Sequence, residues 1–260
     1  MVTTSALRYA YVFLLLALVS LAAIAQPQPT TNEATELISK MDSLLWSTTN
    51  QGRFVMTIET EYWRRELELD VWMHRPDNTF IRVLSPRKER GIGSLRLGSE
   101  MWNYIPNIDR VIKVPPSMML QPWMGSDLSN DDLVKQSSIV TDYSHVLVES
   151  ENSGNGDLVK IVSTPNSDGA VVWGRIESWI HSENGIPERQ LYFDDVGEEV
   201  RELNFSEVKF MDGREIPTRW VLRPFDDENR LTIFEIVSIK FDHDIDPTIF
   251  TQRNLRSQNI

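Results

Sequence analysis

The chain contains no cysteine. No disulfide can brace it, so its fold has to hold by packing alone. The same absence excludes the lipid anchor of bacterial lipoproteins, which needs a cysteine at the new N-terminus. Histidine is scarce: His74, His145, His181 and His243 are the full set, and none stands at ligand spacing to another. With no thiolate to help, a protein-built transition-metal site has no ligand pattern here. Positive charge is also short, 26 Lys and Arg against 38 Asp and Glu, for a net charge of −12. Such a balance argues against nucleic acid, whose affinity comes from neutralising phosphates, and against coating an anionic membrane surface. G-x-S-x-G, H-E-x-x-H, P-loop and G-x-G-x-x-G motifs are missing, and no βαβ rhythm suggests a nucleotide-binding sheet. No internal repeat interrupts the chain.

Long apolar runs are absent too, with one exception near the start. Arg8 precedes an apolar stretch from Tyr9 to Ala22, and Ala23-Ile24-Ala25 follows with small residues where signal peptidase reads. The run is shorter than the ~20 residues that span a bilayer, and Gln26-Pro27-Gln28-Pro29 comes directly after it. Residues 1–25 are therefore expected to be a cleaved secretory signal and 26–30 a short tail, leaving 31–260 as a single domain.

Past the tail, Thr30 and Glu33 stand at capping-box spacing. Ala34, Leu37, Ile38, Met41 and Leu45 then recur with helical period, predicting an amphipathic helix over 31–46 that ends within Thr48–Gly52. From Arg53 the period becomes two. Leu67, Leu69, Val71 and Met73 alternate with Glu66, Glu68 and Asp70, a strand with one wet face. Strand-like runs also cover 53–60, 79–85, 93–98, 101–105, 110–114, 143–149, 157–163, 174–181, 187–194, 199–210, 216–223 and 230–241. Turn chemistry separates them at Pro76-Asp77-Asn78, Pro106-Asn107, Asn155-Gly156, Asn184-Gly185, Val196-Gly197 and Asp212-Gly213. Many short strands at this spacing predict an antiparallel sandwich or barrel. Two irregularities are expected to help it curl. Leu203 and Phe205 fall out of phase with Val208 and Phe210, which a bulge near Ser206-Glu207 would reconcile. Glu235 interrupts the apolar face of 230–241, at a rim, facing a partner Arg, or at a second bulge.

One block breaks the β rhythm. Pro115, Pro116 and Pro122 forbid a central strand, while Met118, Met119, Leu120, Trp123 and Met124 are too apolar for a solvated loop. Ser129 or Asn130, followed by Asp131 and Asp132, reads as the capped start of a short helix. Asp127, Ser129 and Asp131 alternate like the first oxygens of a calcium loop, but the glycine and terminal glutamate of that pattern are missing. Asp242-His243-Asp244 with Asp246 reads as a solvated turn before Pro247. The pattern predicts short helical pieces crossing a greasy surface, as a lid over a curved sheet would.

Several segments resemble the outer-membrane lipoprotein-sorting protein family, the LolA/LolB-like carriers. They are Leu67–Trp72 with Arg82-Val83-Leu84-Ser85-Pro86, then Met101-Trp102-Asn103-Tyr104-Ile105-Pro106, Pro115–Val134 and Val171-Val172-Trp173-Gly174. Pro247, Phe250 and Asn254-Leu255 fit the same pattern. The resemblance, to a divergent branch, implies an incomplete antiparallel β-barrel around a hydrophobic cavity, with an N-terminal helix and lid helices at its mouth. It also implies a non-enzymatic periplasmic carrier for lipoprotein acyl chains or other lipid. An inner-membrane transporter and an outer-membrane acceptor would be its partners, with no cofactor and no metal. The missing cysteine points to the diffusing carrier over the anchored receptor, most simply a monomer.

On this reading Leu67, Leu69, Val71, Met73, Trp102 and Tyr104 are the expected cavity wall. Met118, Met119, Leu120, Trp123 and Met124 are the expected lid contacts. Any one of these apolar residues could equally be plain core. Two other roles compete. A lipid-sensing adaptor of the same fold would bind a membrane protein without moving cargo, with Glu66, Glu68 and Asp70 as a candidate contact. A hydrolase would need convergent polar groups in the cavity, and no nucleophile motif supports one.

Overall fold

The computed structural model describes residues 31–134, 138–153, 156–167 and 171–257. The expected signal, the tail and Asn155 of one expected turn lie outside them. Helix α1 (Thr31–Leu45) comes first, and its buried residues are Ala34, Leu37, Ile38, Met41 and Leu45, the stripe that the sequence spacing marks. Strands follow in two runs. The first is β1 (Thr49–Glu59), β2 (Arg64–His74), β3 (Asn78–Ser85), β4 (Gly93–Leu97), β5 (Glu100–Ile105) and β6 (Arg110–Lys113). The second is β7 (Tyr143–Ser153), β8 (Gly156–Pro165), β9 (Arg175–His181), β10 (Pro187–Phe193), β11 (Glu199–Met211), β12 (Arg214–Pro224) and β13 (Leu231–Phe241). Between them lie α2 (Asn130–Val134) and α3 (Ile139–Asp142), and α4 (Gln252–Arg256) follows β13.

All thirteen strands form one antiparallel sheet in the order β6-β5-β4-β3-β2-β1-β13-β12-β11-β10-β9-β8-β7. The sheet curves but does not close, as the resemblance implies. The first run of hairpins walks outward from β1 to one edge. The second starts at the opposite edge and walks back, until β13 pairs with β1 in the middle. Only the segment between β6 and β7 joins the two edges, so it has to cross the open side. The Pro115–Val134 block sits in that segment, and topology makes it a cover.

Sequence signals and structure part company at several points. Residues 49–52 are strand and not the end of a helix, and the reason is Gly52. A Cβ there would lie 2.6 Å from the Ser238 carbonyl oxygen, so the glycine permits a close strand approach and breaks nothing. Opposite it, the β1–β13 register shifts between Arg53 and Phe54, which turns Val237 outward at a bulge while Ile236 and Ile239 stay inside. The second expected bulge is real and lies two residues beyond Glu235, which is exposed. At Ser206-Glu207 the expected bulge does not form. Glu207 adopts φ 56°, yet Ser206↔Arg219 and Val208↔Pro217 keep one register, and Phe210 stays 73% exposed on the outer face.

Three buried clusters stabilise the sheet. Phe54, Met56, Leu67, Leu69, Ile81, Trp123 and Ile236 form one on the inner face. The apolar stripe of α1 packs with Val159, Ile161, Ile180 and Phe205 in a second. The third is on the outer face, where Phe250 and Leu255 cover Trp72, Phe80, Leu95 and Tyr104. Arg82 fastens this cover by donating to the carbonyls of Gly91, Asn254 and Leu255 at 2.7–3.1 Å. Its burial pulls its pKa down to about 10.

Candidate lipid-binding cavity

A cavity of about 320 Å³ lies between the inner face of the sheet, α1 and the crossing segment. Its β1–β3 wall is Phe54, Leu69, Val71, Met73, Thr79 and Ile81. Met41, Leu45 and Trp46 close it from α1 and the turn after it. Trp123, Leu128 and Leu133 come from the crossing segment, and Ile176, Leu203, Trp220, Leu222 and Phe234 from the second half of the sheet. The aromatic packing continues behind this lining, where Trp220 sits edge-on to Trp46 and Phe205, both at 5.5 Å between centroids.

Of the residues expected to form the wall, Leu69, Val71 and Met73 line the cavity, while Leu67 lies in the solid core on the same strand face. Trp102 and Tyr104 do not line it. Register pairs Phe80 with Leu95, Leu95 with Trp102 and Gly93 with Tyr104, so this whole set points to the outer face and packs under the C-terminal cover. Period-two alternation fixes which residues share a face, but not which face is the hollow one.

The lid residues divide as well. Trp123 is buried, lines the cavity, and donates its indole N–H to Ser94 Oγ at 3.0 Å, which in turn donates to Asn103 Oδ1 at 2.7 Å. Met119 and Met124 pack, partly buried, against the inner core. Met118 and Leu120 face outward, 51% and 69% exposed. Two 3₁₀ turns, Pro116–Met118 and Trp123–Gly125, shape this stretch, and Met124 between Trp123 and Gly125 takes a positive φ of 53°.

Polar groups fasten the far end of the segment. Ser129 and Asp132 form a reciprocal capping box: Ser129 N donates to Asp132 Oδ2 at 2.8 Å and Asp132 N to Ser129 Oγ at 3.1 Å. Asp127 takes Arg230 at 2.7 Å and the Thr232 hydroxyl at 2.5 Å. Burial pushes the Asp127 carboxyl up. At the near end Arg65 donates to the Met124 carbonyl.

Sequence reasoning passed over the charged part of the cavity wall. Arg201 Nη1 and Nη2 donate to the two Asp132 oxygens at 2.8 and 2.7 Å. The guanidinium also faces the rings of Trp173 at 4.3 Å and Tyr192 at 4.7 Å. Burial favours the neutral acid at Asp132, but the charge and bonds of Arg201 and the bonds from Ser129 outweigh it and hold the carboxyl below its usual range. A second pair, Arg75 with Asp42 of α1 at 2.9 and 3.0 Å, also lines the cavity. Arg201 and Asp132 lie 69 residues apart, and no local signal joins them. The nearest hint is Trp173-Gly174. A Cβ on Gly174 would lie 2.2 Å from the Asp194 carbonyl oxygen, so the glycine is needed for the close turn that sets Trp173 beside Arg201.

Several acidic groups considered from sequence have protein partners. Asp70 takes Arg53 at 2.8 Å, with Glu68 at 3.5 Å from the same guanidinium, and Glu66 is 3.9 Å from Arg64. Asp242 meets Arg214 at 3.2 Å, His243 is 3.5 Å from Asp212, and Asp246 caps Thr248. No group of three or more His, Asp or Glu side chains suited to a metal occurs among the described residues. No helix among them is long and apolar enough to cross a membrane.

Comparison with known proteins places this architecture. A family model described as "Uncharacterized protein" matches residues 75–257. Curated proteins give no match. Among solved structures, a DUF1329 family protein from Desulfovibrio piger superposes with a TM-score of 0.76 at 22% identity, over 88% of this chain and 99% of that one. An outer membrane lipoprotein-sorting protein domain from Vibrio parahaemolyticus gives 0.73 at 14% identity, over 88% and 100%. A LolA superfamily protein from Nitrosomonas europaea gives 0.71 at 17% identity, over 85% and 98%. At these identities the likeness establishes a shared fold across nearly the whole of each chain.

Proposed function

The chain belongs to the family whose model matches residues 75–257, and it has the fold of LolA superfamily proteins; from that premise we propose that it is a periplasmic carrier, which binds the acyl chains of lipoproteins or other envelope lipids in its cavity and shuttles them towards the outer membrane. The supporting observation is the apolar cavity beneath a covering segment that topology forces across the open side of the sheet. Leu69, Val71, Met73 and Trp123 are the chain contacts in this reading. Met119 and Met124, whose unbranched side chains repack easily, let the cover adapt as cargo enters and leaves.

The required energetics suit binding without catalysis. Each methylene removed from water gains about 0.8 kcal/mol, so a carrier has to match the membrane's hold on the chain without exceeding it. A cavity beneath a covering segment that adds no strand to the sheet can be tuned to that balance, because moving the cover disrupts no pairing within the sheet. The chain works as a monomer, receiving cargo from an inner-membrane donor and passing it to an outer-membrane acceptor.

Native mass spectrometry of residues 26–260, purified gently from a periplasmic extract, tests this reading. Added mass that resolves into an acylated peptide or protein supports the lipoprotein carrier and names its cargo. Free lipid moves the function towards lipid transport or sensing. A bare chain that also refuses added lipid overturns the proposal. The sensing adaptor then stands as the second reading, and exposed Val208, Phe210 and Val237 on the outer face favour it as a surface for a protein partner.

A further inference from the structure

The two halves of the Arg201–Asp132 pair belong to different parts of the molecule. Arg201 sits on β11, held in the sheet against the rings of Trp173 and Tyr192, which themselves meet edge-on at 5.2 Å. Tyr192 is itself fixed, donating its hydroxyl to Gln190 Oε1 at 2.9 Å, while Gln190 Nε2 donates to Ser178 Oγ at 3.0 Å. Asp132 sits on α2, in the cover. Both side chains are close to fully buried, 10% and 13% exposed, and Arg201 Nε has no hydrogen-bond partner.

A buried ion pair is a poor choice if its only task is to hold a helix down, since apolar residues of similar volume hold as well or better. Its distinctive property appears when the partners separate. Lifting α2 withdraws Asp132 and leaves the buried guanidinium with the Asp127 carbonyl at 3.4 Å as its remaining hydrogen-bond acceptor, a strongly unfavourable state unless another anion replaces the acid. Opening of the cover is therefore coupled to the arrival of an anion at Arg201. The planar fork, already oriented by its two rings, suits the paired oxygens of a carboxylate or phosphate.

The size of the cavity restricts what is attached to that anion. At about 320 Å³ the cavity stands at the small end of ligand pockets, which run about 300–1,000 Å³. That size suits one chain of moderate length better than several chains at once.

We propose that Arg201 is a head-group site, and that the cavity takes a single-chain amphiphile with a carboxylate or phosphate head, which displaces Asp132 from Arg201 and so releases α2. This rests on reading the cavity as a lipid site and narrows the cargo class. Tail contacts come from Val71, Leu203 and Trp220.

Isothermal titration of the delipidated chain with dodecanoate, dodecanol and acetate, below micelle formation, tests it. Dodecanoate should bind at least tenfold more tightly than dodecanol, and acetate should not compete. Asp132→Asn, which removes the competing charge, should tighten dodecanoate about tenfold and leave dodecanol within twofold. Arg201→Met should erase the preference for the acid while keeping dodecanol affinity. If that variant does not fold, the wild-type and Asp132→Asn comparisons decide alone. Equal affinity for dodecanoate and dodecanol in the wild type overturns the head-group site but leaves a lipid cavity. Acetate competing on equal terms with dodecanoate also overturns it, by making Arg201 an anion site that ignores the tail. If neither twelve-carbon ligand binds, the lipid reading itself is overturned, and this proposal with it.

Discussion

Breaking the Arg201–Asp132 pair from either side should destabilise the fold, and removing both charges should restore it. Asp132→Leu leaves the Arg201 cation in an apolar wall, for a cost of about 3–5 kcal/mol. Loss of the carboxylate that accepts from Ser129 N adds about 1 kcal/mol. Arg201→Met leaves the acid unpaired and costs a similar ~3–5 kcal/mol. In the double variant no charge is stranded. Only the cap and the stacking on Trp173 and Tyr192 are missing, so stability should return to within about 1–2 kcal/mol of wild type. For a chain of this length 1 kcal/mol moves Tm by about 2–4 °C, so each single variant should melt roughly 5–10 °C below the double. Urea unfolding followed by circular dichroism at neutral pH measures the cycle. The coupling should change little between low and high salt, because a buried pair is poorly screened. Single variants that each cost under about 1 kcal/mol and add in the double would refute the argument, since such a pair would be solvated and unable to hold the cover.

Further variants probe the parts around it. Trp123→Ala removes a buried ring and the N–H that Ser94 Oγ accepts, and should cost about 3–5 kcal/mol by denaturant titration. Gly174→Ala pushes a Cβ into backbone at Asp194 and should cost about 1–3 kcal/mol while weakening tryptophan fluorescence markers of ordered Trp173 packing. Phe210→Ser, on the outer face, should change stability by no more than about 0.5 kcal/mol. His145 is buried with Nδ1 2.8 Å from Ser163 Oγ, and burial holds its pKa below 6.5. The unfolded chain therefore binds this proton first, so His145 contributes stability that is complete above pH 6.5 and declines as pH falls below it. A His145→Asn variant should show a flatter stability profile across that window.

Much of the secondary structure follows from local chemistry. The stripe Ala34, Leu37, Ile38, Met41 and Leu45 has one helical solution, and all five residues are buried. Alternation along Leu67–Met73 and turn residues such as Asp212-Gly213, where Asp212 and Gly213 take positive φ, fix strands and hairpins with little reference to the rest of the chain. The prolines and methionines of Pro115–Val134 mark a segment that can neither join a sheet nor remain in water, and the Ser129–Asp132 cap is a local bond. These features depend on neighbours within a few residues, so they can be read without a fold.

Tertiary structure decided everything that depends on where the two runs of hairpins meet. Pairing of β1 with β13 sets the curvature and makes β6 and β7 the edges, which turns a greasy connection into a cover. It also selects the hollow face. Trp102 and Tyr104 share the alternation of a cavity wall, yet they pack beneath Phe250 and Leu255 because their side of the sheet faces outward. Gly52 looks like a helix breaker until Ser238 arrives against it. Asp132 looks like an N-terminal helix acid until Arg201 closes on it from across the cavity. In each case the residue's meaning comes from a partner distant in sequence, and only the folded sheet brings that partner within reach.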